Sequence, residues 1–269
     1  MLTNIPDNVF LYVYGHSFGG IYMRYALGEL YKAGEIKKRG WTLSLFMTTA
    51  SPHLGIESMF CAFVYINPPY PPVLFCLLGM FESNFLVRIL ARIFIGQTGK
   101  DLFMHSNMLD ELATGHYLEA LRQFNHRIVI GNMKNDNVVG PATSLISTHI
   151  KYIGGSGITE YVPSVGSAQV AWTRDDGNVL YVVPDTFSEG DKSAFKEDYA
   201  IPDDMFKRIG KMAVALDDTD VTRFRVAIDD ADAHVCIIEH NPYDKEGIGH
   251  GIVEKICDLF FNISGVNSK

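Results

Sequence analysis

The feature that most constrains the fold is a predicted strand that passes directly into a predicted helix across the hexapeptide GHSFGG, residues 15–20. Residues 9–14, just before it, are apolar and mostly β-branched or aromatic, which predicts a buried strand. Residues 18–37 carry apolar side chains at helical spacing, and the KKRG sequence at 37–40 is typical of a helix end. The chain therefore changes from strand to helix within a few small residues.

Ser17 lies in the middle of this turn, in the pattern Gly15-x-Ser17-x-Gly19. Between a strand and a helix, this pattern is typical of a nucleophile elbow, a strained turn that lifts the serine hydroxyl above the sheet. The residues two before and two after the serine are expected to be small, because the strand and helix backbones pass close together there. The backbone N–H of Phe18 lies at the helix N-terminus, where it can donate to an oxyanion and gains from the helix dipole. We predict Ser17 as the nucleophile and Phe18 as the oxyanion donor; the alternative is a glycine-rich turn that only packs closely.

A second apolar strand is predicted at 43–49, after the helix. A strand, a helix and a strand in this order predict a βαβ unit and therefore a parallel sheet. Two further strands are predicted at 127–132 and 224–228, and two further helices at 107–124 and 247–261. We expect one α/β domain over residues 1–269, with a mainly parallel sheet flanked by helices.

Residues 150–222 have a less regular pattern, and we interpret them as an irregular insertion. Within it, the sequence AQVAWTRDDGNVLYVVP at 168–184 predicts a hairpin that turns at Asp175-Asp176-Gly177.

Composition excludes several functional classes. The chain has a formal net charge of −8, which argues against a nucleic-acid partner, since such a partner requires a basic surface. Its four cysteines are scattered without a CxxC pair, which argues against a metal site and against a disulfide framework. We expect no metal and no cofactor, and a reducing compartment.

Three segments together resemble a known family: VYGHSFGGIYMRYALGEL at 13–30, FMTTASPHLGI at 46–56 and NHRIVIGNMKNDNVVGPATSLI at 125–146. In this order they resemble the DUF676 serine esterases, which are lipase-like α/β-hydrolases. The resemblance implies an α/β-hydrolase fold and hydrolysis of esters, mainly of lipids. In that fold the elbow follows the fifth strand, and an earlier His-Gly loop supplies a second oxyanion donor. Only MLTNIPDN precedes the first predicted strand here, so we expect an N-terminally truncated form of the fold.

A serine nucleophile needs a histidine as base and a carboxylate that orients the histidine, and in this fold they follow the serine in the order acid, base. Asp136 comes just after the strand at 127–132, at the end where the acid belongs, and the resemblance places the acid on the same residue. The resemblance places the base in an Ala-His-x-x-Ile stretch, at His234. His240 and His250 remain alternatives, since both also lie late in the chain.

Other acidic and histidine side chains are weaker candidates. Asp101 and Asp110 fall in presumed helical regions. His53 belongs to the SPHLG sequence at 51–55, and we interpret it as a residue that holds this loop by hydrogen bonds.

The leading hypothesis is a serine esterase or lipase that acts on a lipid or small ester. Two alternatives stay open: an acyltransferase with the same acyl-enzyme, and a non-catalytic lipid-binding or scaffold relative that lacks a complete oxyanion hole. The expected location is cytoplasmic, and peripheral contact with a membrane or lipid surface is left open. The oligomeric state does not follow from the sequence.

Residues 56–95 are strongly apolar and lie between the SPHLG sequence and the segment that carries Asp136. Proline pairs at 68–69 and 71–72 prevent one continuous helix. We interpret the segment as an apolar cap that covers the entrance and binds the acyl chain; the alternative is that it packs as ordinary core.

If residues 56–95 form an acyl-binding cap, replacing Phe75 and Leu78 with serine will reduce hydrolysis of long-chain esters much more than hydrolysis of short, water-soluble esters. The reason is that only long chains fill the apolar surface. The ratio of kcat/KM for the two substrates measures this. Equal losses on both substrates, with a lower melting temperature, would support ordinary core instead.

Overall fold

The computed structural model describes residues 7–55, 101–102, 104, 106–133, 136, 138–147, 159–162, 170–175, 203–228, 233–239, 247 and 249–264. The segment 56–95, predicted to be a cap, lies outside these ranges. Six strands of the described residues form one sheet: β1 (Phe10–His16), β2 (Thr42–Thr49), β3 (His126–Asn132), β4 (Thr159–Val162), β5 (Val170–Asp175) and β6 (Val221–Ile228). Their order across the sheet is β1-β2-β3-β6-β5-β4.

Four of the strands form the parallel half of the sheet. β1 pairs with β2, β2 with β3, and β3 with β6, all in parallel. The carboxyl ends of β1 and β2 lie side by side, with His16 opposite Thr49. β2 is buried over nearly its whole length, as expected for a parallel strand covered on both faces. The predicted α/β fold with a mainly parallel sheet flanked by helices is confirmed.

Helices cover both faces of this sheet. In chain order they are α1 (Phe18–Lys32), α2 (Glu35–Lys38), α3 (Met108–Leu112), α4 (Gly115–Arg122), α5 (Pro141–Ser144), α6 (Asp203–Asp217), α7 (Ala233–Cys236) and α8 (His250–Ser264). Apolar side chains of α1, α3, α4 and α6 share one core with the sheet, and those of α7 and α8 share a second core. None of the helices within the described ranges is long and apolar enough to cross a membrane.

The first helix is shorter than the pattern over 18–37 predicts. It ends at Lys32, and α2 begins at Glu35. Between them Gly34 has a φ of 71°, in the left-handed region that glycine adopts most easily. The glycine therefore divides the predicted helix in two.

The described parts of the predicted insertion at 150–222 are more regular than expected. β5 pairs antiparallel with β4 on one edge and with β6 on the other. Asp176 and Gly177 of the predicted hairpin turn lie outside the described residues, and both edges of β5 have strand partners within the sheet. α6, a helix of 15 residues whose apolar side enters the core, was not predicted.

Two arginines are buried in very different surroundings. Arg223 is 4% exposed, and its guanidinium donates to Asp217 at 2.7 Å and to the carbonyl of Leu145 at 2.8 Å. Arg24 is 2% exposed, and among the described residues it donates to His53, through the carbonyl at 3.3 Å and Nδ1 at 3.4 Å. Its Nε and Nη2 have no hydrogen-bond partner in the part of the chain that the structure describes. Burial lowers the pKa of Arg24 to about 9, so the fold carries a cation that its surroundings poorly compensate.

The two arginines should respond in opposite ways to substitution by methionine. Arg24→Met is expected to leave the free energy of unfolding unchanged or to raise it by about 1–3 kcal/mol, because a poorly compensated buried charge is removed. Arg223→Met is expected to lower it by about 2–4 kcal/mol, because Asp217 and a buried carbonyl lose their donor. Denaturant unfolding of the two variants measures the difference. Equal destabilisation would show that Arg24 contributes to stability despite its missing partners.

Candidate active site

The turn between β1 and α1 holds Ser17 in a strained conformation. Its φ is 53° and its ψ is −131°, and a φ in this positive range is uncommon for a residue with a side chain. Such a conformation costs about 1–3 kcal/mol and persists only where the surroundings impose it. One contact that fixes it is the Ser17 N–H, which donates to the carbonyl of Thr49 on β2 at 2.9 Å.

β1 and α1 approach each other closely at Gly15 and Gly20. A Cβ atom on Gly15 would lie 2.6 Å from the backbone nitrogen of Gly20. A Cβ on Gly20 would lie 2.8 Å from Cβ of Ser51 and 2.9 Å from Cγ2 of Thr48. A Cβ on Gly19 would meet no atom of the described residues within 4 Å. The expectation that Gly19 must be small is therefore wrong, because the helix turns Gly20 towards the sheet.

Asp136 lies just after β3, and its side chain is 1% exposed. Its Oδ1 accepts from the backbone N–H groups of Val138 at 3.0 Å and Val139 at 2.8 Å, and its Oδ2 accepts from Nδ2 of Asn132 at 3.0 Å. Burial by itself raises the pKa of the carboxyl, but hydrogen bonds from His234, Val139 and Asn132 outweigh it and lower that pKa below the ordinary value. Asp136 is therefore held as a carboxylate.

His234 is in α7, after β6, and it bridges the other two side chains. Its Nδ1 lies 3.0 Å from Oδ2 and 3.1 Å from Oδ1 of Asp136, and its Nε2 lies 3.0 Å from Oγ of Ser17. An ionised carboxylate only accepts hydrogen bonds, so Nδ1 carries the proton and the neutral ring presents its Nε2 lone pair to the serine hydroxyl. This arrangement can take a proton from Ser17.

The alternative acids and bases that the structure describes have partners other than Ser17. His250 begins α8, and its ring contacts Glu239 and Glu254 at 3.3 Å. Asp110 forms an ion pair with Arg208. Other sequence candidates were His240, which lies outside the described residues, and Asp101, which accepts from Ser106 at 2.6 Å.

Phe18 is the first residue of α1, directly after Ser17. The N-terminal turn of a helix leaves backbone N–H groups without partners inside the helix, and the positive end of the helix dipole lies there. The arrangement can stabilise an anion that forms beside Ser17.

The SPHLG loop is fixed beneath the site by buried hydrogen bonds. His53 is 1% exposed, and its Nε2 lies 2.8 Å from Oγ1 of Thr48. Burial, and then the charge of Arg24, keep the pKa of His53 well below its ordinary value. A neutral, buried ring fits the interpretation that His53 holds the loop.

Sequence reasoning passed over two polar residues at this site. The expected order places the base after the acid, so His16 was not among the candidates; its ring centroid lies 5.0 Å from that of His234, and its Nδ1 lies 3.0 Å from Oγ1 of Thr49. Asn132, the last residue of β3, contacts Asp136. Asn132 could have been identified from the sequence as a polar side chain at the end of an apolar strand.

Comparison with known families gives one match. Residues 7–149, more than half of the 269-residue chain, match the family model described as "Putative serine esterase (DUF676)". Comparisons with curated proteins and with solved structures gave no match.

The glycine contacts predict opposite outcomes for two alanine substitutions in the turn. Gly15→Ala is expected to destabilise the fold by about 2–4 kcal/mol, because its methyl group would overlap backbone atoms that cannot move aside. Gly19→Ala is expected to leave stability unchanged or to raise it by up to about 1 kcal/mol, since the position is helical and open. Chemical denaturation measures both. A destabilised Gly19→Ala variant would contradict the assignment of the contact to Gly20.

Proposed function

Because the chain belongs to the DUF676 family of serine esterases, we propose that it hydrolyses a carboxylic ester of a lipid through an acyl-enzyme on Ser17. The observation that carries this proposal is the hydrogen-bonded chain from Ser17 through His234 to Asp136. The nucleophile has a base within reach, and the base has a carboxylate that fixes its tautomer.

In the first step, Oγ of Ser17 bonds to the ester carbonyl carbon while its proton passes to Nε2 of His234. A base positioned in this way contributes about 10²–10⁴-fold to the rate. Asp136 accepts from the Nδ1 proton and stabilises the imidazolium that forms. The carbonyl electrons move to oxygen, and the N–H of Phe18 donates to that oxyanion; one such donor is worth about 3–4 kcal/mol in the barrier.

In the second step, the carbonyl re-forms and the bond to the alcohol oxygen breaks. His234 returns its proton to that oxygen, so the alcohol leaves and the acyl group stays on Ser17 as an ester. Water then attacks this ester, gives a proton to Nε2 and releases the acid, and the proton returns to Oγ of Ser17. The reaction needs only the ester and water.

The apolar character of the helix next to Ser17 supports a lipid as substrate. Phe18 and Tyr22 pack edge to face with their ring centroids 4.9 Å apart on the first turns of α1. Tyr22 is 61% exposed and Met23 is 36% exposed, so apolar surface continues from the serine to the outside of the helix. An acyl chain buries such surface favourably.

The proposal predicts that a fluorophosphonate probe labels the chain at one residue. Ser17→Ala is expected to abolish labelling, because the probe reacts with an activated serine hydroxyl. In-gel fluorescence, with mass spectrometry of the labelled peptide, measures the result.

A matched control is Ser106→Ala, which removes a serine hydroxyl that is bound to Asp101. This variant should label at the unmodified rate. Labelling that survives in Ser17→Ala would overturn the proposal, and so would an unmodified chain that takes up no probe while folded.

A further inference from the structure

Asn132 occupies a buried position between the acid and the base. It is the last residue of β3 and is 0% exposed. Its Nδ2 donates to Oδ2 of Asp136 at 3.0 Å and to the backbone carbonyl of Ala233 at 3.0 Å. Ala233 directly precedes His234 in α7, so one amide group connects the turn that carries the acid with the turn that carries the base.

Chemistry fixes the orientation of this amide. Both of its partners only accept hydrogen bonds, so the NH₂ end must face them, because the opposite orientation would place oxygen against oxygen twice. The consequence is that Oδ1 of Asn132 is buried and has no hydrogen-bond partner among the described residues. A buried acceptor without a hydrogen bond costs stability. Asn132 carries this cost while its NH₂ group makes two well-formed hydrogen bonds.

We propose that Asn132 is a positioning residue that sets the geometry and the protonation of the Asp136–His234 pair. The inference rests on the proposed function, since it concerns the same reaction. One amide hydrogen holds the carboxylate and the other holds the backbone beside the base, so the separation of the two is fixed from a single rigid strand end. The donor on Oδ2 also withdraws charge from the carboxylate, which limits how strongly Asp136 favours a protonated His234.

The other titratable groups near the Asp136–His234 pair are unaffected by a substitution at position 132. His16 on β1 faces the ring of His234, and Tyr14 reaches the same Thr49 hydroxyl as His16, at 2.8 Å. Neither bonds to Asn132 in the described hydrogen-bond network, so a change at position 132 leaves both in place.

The test is the pH dependence of fluorophosphonate labelling in Asn132→Leu, a nearly isosteric change that removes both donors and the unpaired oxygen. The rate on the high-pH plateau should fall at least about tenfold, since His234 is less well oriented. The acidic limb should move to higher pH by roughly half a unit to one unit, because the carboxylate loses a donor and holds the imidazolium more strongly. Asn125→Leu, the same change at an exposed position before β3, should keep the plateau and the limb of the unmodified chain.

A purely structural role would lower the melting temperature and leave the limb in place. If folded Asn132→Leu keeps the plateau rate and the acidic limb of the unmodified chain, the inference is overturned. Labelling of the unmodified chain would still uphold the proposed function. If Asn132→Leu does not fold, an NMR titration of the unmodified chain tests the inference instead. The side-chain N–H₂ signals of Asn132 should shift through the pH of the acidic limb, and signals that stay fixed there would also overturn the inference.

Discussion

The structure depends on the backbone contact between Gly15 and Gly20, where strand and helix approach so closely that no side chain fits between them. This contact allows α1 to begin immediately after β1, and Ser17 lies in the turn between them with a positive φ of 53°. The hydrogen bond from Ser17 to Thr49 then ties the turn to the neighbouring strand. A strained turn held on two sides presents its side chain in one direction, which is the condition for a serine to meet a partner from elsewhere in the chain.

The parallel pairing of the strands brings the partners of Ser17 close to it. The carboxyl ends of β1, β2, β3 and β6 meet at one edge of the sheet, and each contributes to the site or its support. Ser17 follows β1, Asp136 follows β3 and His234 follows β6. Because rigid strands set these positions, the polar groups can be pre-oriented in a largely water-free environment, where hydrogen bonds to charges are strong.

The sequence was sufficient for the parts of the fold whose signal is local. The strands at 9–14, 43–49, 127–132 and 224–228 and the last helix were predicted within a few residues, since apolar runs and periodicity mark them directly. The pairing of β5 with β6 was missed, because the partner lies about fifty residues away and the nearby Asp-Gly suggested a turn. Ser17 and Asp136 could be found from strand ends, whereas Asn132 and Arg24 became notable only through contacts that no local pattern encodes.

The hydrogen bond between Ser17 and His234 joins residues that are 217 positions apart in the chain. A contact of this length forms late in folding, because the entropy of closing so long a loop is offset only once the intervening sheet has assembled. The Ser17 hydroxyl and the His234 ring meet only once both ends of the domain have folded. Under the proposed function, the reactivity of Ser17 therefore reports the folded fraction of the whole molecule, and refolding can be timed by its return.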